Sequence, residues 1–347
     1  MKISIGVRWD GNEDFTEQAT YVREAELLGV DSVWTVEGWG TDAVTPLAYL
    51  AAKTERIKLG TSIMQVSARV PSMTAMTAMT LAALSGNRFI LGLGVSGPQL
   101  VEGFHGQTFH APLTRLQETV ELIRRACAGE KLSFEGKHHQ LPLPGGEGRA
   151  LRLSQRPNPN IPIFLATLGT KSLEYTGAAA DGWLGTSFVP EQAGACFDSI
   201  RRGAESVGRS LTDLTLQVGA AEIEFGDDLE AMIDSRRMGR AFTLGAMGSK
   251  KTNFYTDAYS RAGWAEAAQT VQKLWLDGNR KEAAAQVPAD MITQTNLLGD
   301  ESAMLDRLRV YRDAGVDTLK VQPIADTLEE RLNILGRLLD LLKRLEQ

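Results

Sequence analysis

The first segments of the chain contain the pattern that decides its predicted fold. The apolar run ISIGVRW (Ile3–Trp9) is followed by the amphipathic stretch DFTEQATYVREAELL (Asp14–Leu28), which Gly29 closes, and by a second apolar run, SVWTV (Ser32–Val36). A strand, a helix and a second strand in this order are typical of a parallel α/β fold, because the helix returns the chain to the edge where the next strand begins. We therefore predict a parallel sheet covered by helices.

The same alternation continues along the rest of the chain. Six further runs are predicted to be strands: Ile57–Ile63, Phe89–Val95, Ile161–Thr167, Trp183–Thr186, Leu214–Ile223 and Thr318–Val321. A last helix is predicted over Leu328–Leu345. Eight strands that alternate with helices favour a closed (β/α)8 TIM barrel over an open Rossmann sheet, and such barrels accommodate chains of this length as one domain. We predict a single domain over residues 1–347.

Two connections are too long to be simple crossovers between strand and helix. Residues 97–159, after the fourth strand, contain a helix that starts near Leu113 and a small hairpin over Leu132–Leu141. Residues 226–295, after the seventh strand, contain several helical segments and no further strand. Active sites of such barrels lie at the carboxyl ends of the strands. The first insertion at least begins there, so we expect it to shape a pocket.

Composition and charge limit the classes of function. A net charge of −6, from 37 basic and 43 acidic residues, gives no electrostatic reason to expect nucleic acid or an anionic membrane as a partner. The apolar runs are too short for a transmembrane helix, and the N-terminal sequence lacks the features of a signal peptide. Cys127 and Cys196 are far apart, which indicates neither a disulfide framework nor a CxxC pair. We predict a cytoplasmic globular protein.

The ends of the second and third strands supply the first candidate site residues. A carboxylate, an indole and two glycines in EGWGTD (Glu37–Asp42) can accept a ring system and a proton. We interpret Asp42 as a cap of the next helix, and Glu37, with Gly38 beside it, as functional. The third strand ends in small residues that leave room for a flat cofactor, although Ser62 fits a satisfied core hydroxyl equally well.

The fourth and fifth strands end in glycine-containing segments. In GLGVSGPQ (Gly92–Gln99) the glycines with Ser96 and Gln99 suit a polar ligand tail, but a tight barrel corner would also need glycines. After the fifth strand, Gly169 and Thr170 would present backbone N–H groups at the start of a helix, where a phosphate binds well. Capping by Thr170 alone is the alternative. The neighbouring polar residues favour the anion site: Thr167, Lys171, Ser172, Thr186 and Ser187.

No residue set indicates metal or nucleophilic catalysis. The four histidines lack metal-ligand spacing, and we interpret His138 and His139, in the predicted hairpin, as surface residues. A barrel without metal, reactive thiol or nucleophile takes its reactivity from an organic cofactor. Within the second insertion, Lys250 and Lys251 follow a Gly/Ser turn and open a helix. Paired lysines usually form a solvated face, but in an acidic chain they could hold an anionic tail.

Four segments together resemble the luciferase-like monooxygenase superfamily, and within it the F420-dependent reductases and dehydrogenases related to methylene-tetrahydromethanopterin reductase. The segments are Glu37–Gly40 with Asp42–Ala43, Leu91–Gln99, Ile161–Gly185 and Gly245–Tyr255. The resemblance covers nearly the whole chain. It implies a (β/α)8 barrel, usually a homodimer, that binds coenzyme F420 at the carboxyl ends of its strands.

The resemblance also implies roles for individual residues. Such relatives carry a non-proline cis peptide in the third strand, against the back of the deazaflavin, which falls here at Ser62–Ile63. Glu37 lies where some relatives place an acid or histidine near the reacting ring, so it is expected to donate a proton or orient the ring. Gly38 replaces the histidine of the sugar-phosphate dehydrogenases, which argues against glucose 6-phosphate as substrate. The phosphate of the cofactor maps to Gly169 and Thr170, with Thr167 and Thr186. Its polar side chain maps to Ser96, Gly97 and Gln99.

The resemblance implies an F420-dependent oxidoreductase that transfers a hydride between C5 of the deazaflavin and an unidentified small organic substrate. The nearest alternative is an FMN-dependent monooxygenase, because both cofactors carry a ring and a ribityl phosphate. The turn at Lys250 and Lys251 favours F420, whose anionic tail is longer. A cofactor-binding protein without catalysis is a third alternative, against which Glu37 argues.

Overall fold

The computed structural model describes residues 1–7, 9 and 14–346. Short strands recur along this part of the chain. Their bounds are β1 Lys2–Val7, β2 Ser32–Thr35, β3 Lys58–Thr61, β4 Met64–Gln65, β5 Phe89–Gly94, β6 Phe134–Glu135, β7 Gln140–Leu141, β8 Ile163–Ala166, β9 Gly182–Gly185, β10 Thr215–Phe225, β11 Leu297–Gly299 and β12 Thr318–Pro323.

Helices follow most of these strands. Their bounds are α1 Phe15–Leu28, α2 Val44–Ala51, α3 Pro71–Leu84, α4 Pro98–Val101, α5 Pro112–Cys127, α6 Thr170–Ala179, α7 Gly194–Glu205, α8 Leu229–Ala246, α9 Phe254–Tyr259, α10 Ala265–Leu276, α11 Arg280–Ala285, α12 Ala289–Thr293, α13 Glu301–Asp313 and α14 Leu328–Glu346. A π-helical turn, Ser260–Trp264, joins α9 to α10. In the described part of the chain, no helix combines the length and the apolar composition needed to cross a bilayer.

Eight strands form the closed (β/α)8 barrel that the sequence predicts. They pair in the order β1, β2, β3, β5, β8, β9, β10 and β12, and β12 pairs with β1. The registers between neighbouring barrel strands are parallel, as between β5 and β8 or β9 and β10. Two short strands extend the sheet, because β4 pairs with β5 and β11 pairs with β10.

Most strand boundaries agree with the prediction to within two residues. The first predicted strand was extended to Trp9, but β1 ends at Val7, and Arg8 lies outside the described residues. The third predicted strand is interrupted after Thr61 and continues as β4. The insertions contain the predicted hairpin, β6–β7, and the helices α8–α12. The strand β11 was not predicted, because three residues are too few to show a pattern.

Two compact units can be distinguished within the chain. The first comprises Met1–Gly6, Thr16–Asp31 and Thr167–Gln347, and the second comprises Val7–Phe15 and Ser32–Ala166. Each contains a buried tryptophan that packs over a strand glycine.

The strand glycines beside these tryptophans have a packing reason. In the second unit, a Cβ on Gly60 would lie 2.3 Å from the indole of Trp34. In the first unit, a Cβ on Gly185 would lie 2.4 Å from the indole of Trp183. Both indoles are almost fully buried, so they fill the space that a larger residue would need.

Candidate functional site

A buried ion pair follows the second barrel strand. The Nη1 atom of Arg69 lies 2.5 Å from Oε1 of Glu37, whose side chain is only 8% exposed. The second carboxylate oxygen accepts a hydrogen bond from the N–H of Ala43 at 3.4 Å. Both oxygens of the Glu37 carboxylate thus act as hydrogen-bond acceptors. The two roles expected for Glu37, donating a proton or orienting the ring, stay predictions.

Gln65 shares this location. Its Nε2 donates to the main-chain oxygen of Glu37 at 3.1 Å. The residue is 2% exposed, and its Oε1 is buried without a hydrogen-bond partner among the described residues. The hydroxyl of Ser67 is buried and unpartnered in the same sense. A buried acceptor without a partner costs about 1–3 kcal/mol, so this surface fits a ligand that brings an N–H donor.

The peptide bond between Ser62 and Ile63 is cis, as the resemblance predicted. The N–H of Ser62 donates to the carbonyl oxygen of Thr35 at 2.7 Å. The side chain of Ile63 covers Gly94, where a Cβ would lie 2.9 Å from Ile63 Cδ1. Packing therefore explains this glycine, which the sequence left open between a ligand site and a barrel corner.

The segment after β5 carries three predicted cofactor contacts. Ser96 has φ +60°, a left-handed conformation that costs a non-glycine residue about 1–2 kcal/mol and is found at ligand sites. Gly97 is the N-cap of α4, and its carbonyl oxygen accepts from the N–H of Val101 at 3.0 Å. Gln99 is exposed on α4. The structure thus brings Ser96, Gly97 and Gln99 together at one strand end.

In the first unit, the start of α6 has the open geometry expected of an anion site. Gly169 is the N-cap, in extended conformation, and no side chain caps the helix. The capping by Thr170 that was considered as the alternative is therefore absent, and the first N–H groups of α6 lack intrahelical partners. The hydroxyl of Ser187, beside Thr186 after β9, is buried without a partner among the described residues. Backbone N–H groups and hydroxyls are donors that a phosphate accepts from, and the anion site stays a prediction.

Thr167 has an internal partner. Its hydroxyl lies 2.7 Å from that of Thr176, which donates to the carbonyl oxygen of Ser172 at 2.9 Å. Sequence reasoning missed Arg261, in the π-helical turn, which donates to the carbonyl oxygen of Leu168 at 2.6 Å. Its contact lies 93 positions away in the chain, so no local pattern signals it.

The lysine turn of the second insertion differs from its prediction. Lys250 and Lys251 are exposed and precede helix α9 rather than opening it, because Asn253 caps that helix. Neither amine forms an ion pair with a residue that the structure describes. Gly245 packs against Trp275, where a Cβ would lie 2.1 Å away. Packing explains this glycine, and the lysines remain available to solvent or ligand.

Asp42 caps α2, as interpreted from the sequence. Its Oδ1 accepts from the N–H groups of Val44 and Thr45, both at 2.8 Å. Burial alone would raise the pKa of Asp42, but the hydrogen bonds from Thr45 and Val44, and the charge of Arg69, lower it below its usual value.

The prediction that His138 and His139 are surface residues was wrong. Both are half-buried, because the turn between β6 and β7 folds over Glu118. The carboxylate of Glu118 accepts from the N–H groups of Lys137, His138 and His139 at 2.6, 2.9 and 3.0 Å. Burial alone would raise the pKa of Glu118, but these N–H groups lower it. This arrangement is structural.

The two cysteines are buried and free. Burial raises the pKa of each thiol, Cys127 and Cys196, to about 11. A thiol with such a pKa is protonated at neutral pH and is a poor nucleophile.

Comparison with known proteins identifies the family. The profile of the luciferase-like monooxygenases matches residues 2–318. A Mycobacterium tuberculosis protein with the provisional name coenzyme F420-dependent oxidoreductase is 37% identical over 329 residues, 92% of this chain and 94% of its own. An F420-dependent glucose-6-phosphate dehydrogenase from Kineococcus radiotolerans is 30% identical over 245 residues, 66% of this chain and 69% of its own.

A solved structure shares the fold. The coenzyme F420-dependent tetrahydromethanopterin reductase of Methanopyrus kandleri superposes with a TM-score of 0.78 at 24% identity, covering 96% of this chain and 97% of that one. Together with the profile match, these relatives confirm the resemblance inferred from the sequence. The chain belongs to the luciferase-like monooxygenase family.

Proposed function

We propose that the chain is an F420-dependent oxidoreductase that transfers a hydride between C5 of the deazaflavin and a small organic substrate. The observation that carries this proposal is the 37% identity, over nearly the whole length of both chains, with a relative named for F420. When bound, the deazaflavin supplies the carbon that gives or takes the hydride.

The second unit supplies residues for the ring. Ser62 and Ile63 would support one face of the ring, and Gly38 leaves open space beside Glu37, because a Cβ there would meet nothing within 4 Å. Glu37, which binds Arg69, would orient the ring or donate a proton. A ring held in one orientation against its substrate accelerates transfer, because little orientational freedom remains to be lost.

The first unit supplies residues for the phosphate and the anionic tail. The open N–H groups at Gly169 and Thr170, with the hydroxyls of Thr186 and Ser187, would bind the phosphate. Thr167 supports the start of α6 through Thr176. The cations that would hold the tail are Arg261, Lys250 and Lys251.

The assembly proposed for the chain is a homodimer in the cytoplasm. Exposed apolar side chains lie along α3 and at its N-cap: Val70, Met73, Met76 and Leu84. An apolar face of this kind marks an interaction surface, and two copies can bury it symmetrically. Light scattering on wild type and Met76→Glu tests this: the variant should be a monomer, and a dimer of unchanged stability would contradict the assignment. Two free cysteines suit a reducing compartment.

Titration of the purified protein with F420 and with FMN, followed by fluorescence, tests the cofactor. F420 is expected to bind more tightly. Tighter binding of FMN, or binding of neither, would contradict the proposal. Screening of small carbonyl compounds and alcohols with F420-bound protein, followed by deazaflavin absorbance, then identifies the substrate class.

A further inference from the structure

Glu37 is bonded to two other side chains of the second unit. Its carboxylate binds Nη1 of Arg69 at 2.5 Å, and its main-chain oxygen accepts from Nε2 of Gln65 at 3.1 Å. Residues 37, 65 and 69 thus form one bonded group, with Glu37 at its centre. Gln65 and Arg69 follow the Ser62–Ile63 bond in the same segment.

Each partner of Glu37 has a hydrogen-bonding group that is not used within the described residues. Nε2 of Gln65 donates to Glu37, whereas its Oε1, an acceptor, is buried without a partner among the described residues. Nη1 of Arg69 donates to Glu37, and the other N–H groups of Arg69 form no hydrogen bond with the residues that the structure describes. The side chain of Arg69 is 23% exposed, so these donors can reach a ligand.

The pyrimidine-dione edge of a deazaflavin has the complementary pattern, an imide N–H flanked by two carbonyl oxygens. We propose that Gln65 and Arg69 bind this edge, with the Oε1 of Gln65 accepting from the imide N–H and Arg69 donating to a neighbouring carbonyl. Glu37 is then the positioning residue for both. This inference rests on the proposed function and assigns the ring contacts within it.

A methylated probe isolates the contact of Gln65. The ligands are the phosphate-free ribityl-deazaflavin and its N3-methyl derivative, which lacks the imide donor. Affinities are measured by fluorescence. Wild type should bind the methylated ring about tenfold more weakly, the effect of one buried hydrogen bond. Gln65→Met keeps the volume and should bind both rings alike. Gln18→Met, a matched change of a buried glutamine on α1, should discriminate as wild type does.

The outcomes separate the inference from the proposed function. If wild type and Gln65→Met discriminate equally between the methylated and unmethylated rings, the assignment of Gln65 is wrong. Binding of F420 by wild type would still leave the proposed function intact. Wild type that binds no deazaflavin overturns both. If Gln65→Met fails to fold, Arg69→Met is used instead. This variant should bind both rings more weakly by a similar factor and still prefer the unmethylated ring. Arg69→Met with wild-type affinity for both overturns the role of Arg69.

Discussion

The Cδ1 atom of Ile63 lies 2.9 Å from the position that a Cβ on Gly94 would occupy. Gly94 is fully enclosed in β5, and the isoleucine belongs to the cis peptide against which the deazaflavin ring is proposed to rest. The residue that is proposed to support the ring is therefore itself positioned by the absence of a side chain on the neighbouring strand. A substitution at Gly94 therefore tests both the packing of the strand and the binding of the cofactor.

Gly94→Ala should displace Ile63 and weaken F420 binding. Overpacking of this kind costs about 1–3 kcal/mol of unfolding free energy. Urea unfolding measures that cost, and fluorescence titration measures the affinity. Gly336→Ala, on α14, is the control, since a Cβ there would meet nothing within 4 Å. If Gly94→Ala binds F420 as wild type does, Ile63 does not support the ring.

Glu118→Gln should destabilise the chain in a pH-dependent way. Three N–H groups donate to the two carboxylate oxygens of Glu118, and the glutamine amide has only one acceptor oxygen. We therefore expect the unfolding free energy to fall by about 1–3 kcal/mol at pH 7. A glutamate in the unfolded chain has a pKa of about 4.3, and the pKa of Glu118 in the folded chain is lower. The stability advantage of wild type is therefore complete above the unfolded pKa. It disappears as pH falls through the folded pKa.

Unfolding by urea from pH 7 to pH 3 checks the behaviour of Glu118. Glu121→Gln, an exposed acid on the same helix paired with Arg125, is the control. It should change stability by no more than about 0.5 kcal/mol. A difference between Glu118→Gln and wild type that persists unchanged at pH 3 would refute the electrostatic part of the argument.

The barrel could be predicted from the sequence because its signals are local. Each apolar run and each amphipathic helix is readable within about fifteen residues. The ends of strands two to five supplied the candidate residues Glu37, Ser62, Ser96 and Gly169, because active sites of such barrels lie at the carboxyl ends of the strands.

The partners of these residues could not be predicted in the same way. Arg69 is 32 positions from Glu37, and Arg261 is 93 positions from Leu168. Such pairs form only after folding, so no spacing rule signals them. Half-buried His138 was misread for a related reason, because its turn is held by Glu118 twenty positions away.

Gly203→Ala should strongly destabilise the chain. A Cβ on Gly203 would lie 1.8 Å from the carbonyl oxygen of Glu174, which shows how closely α6 and α7 approach. We expect a loss of more than about 2 kcal/mol, because backbone cannot yield as a flexible side chain can. Gly239→Ala, in the middle of α8 with open space around it, should instead stabilise by about 0.5–1 kcal/mol. Thermal and urea unfolding compare the two; equal effects would contradict the close-packing argument.

Ser187→Ala should weaken the binding of F420 without affecting the binding of the phosphate-free ribityl-deazaflavin. The hydroxyl is buried without a partner among the described residues, so its removal should not destabilise the chain. Loss of one hydrogen bond to phosphate should lower F420 affinity about fivefold to tenfold. Fluorescence titration with both ligands measures the difference.

A glycine variant separates the hydroxyl of Ser187 from its backbone. The residue has φ +53°, a conformation that glycine adopts at less cost than serine or alanine. Ser187→Gly should therefore weaken F420 as much as Ser187→Ala does, while gaining stability relative to it. Should both variants weaken the binding of F420 and of the phosphate-free ribityl-deazaflavin by the same factor, the hydroxyl does not contact the phosphate, and the proposed anion site at Gly169 lacks this second donor.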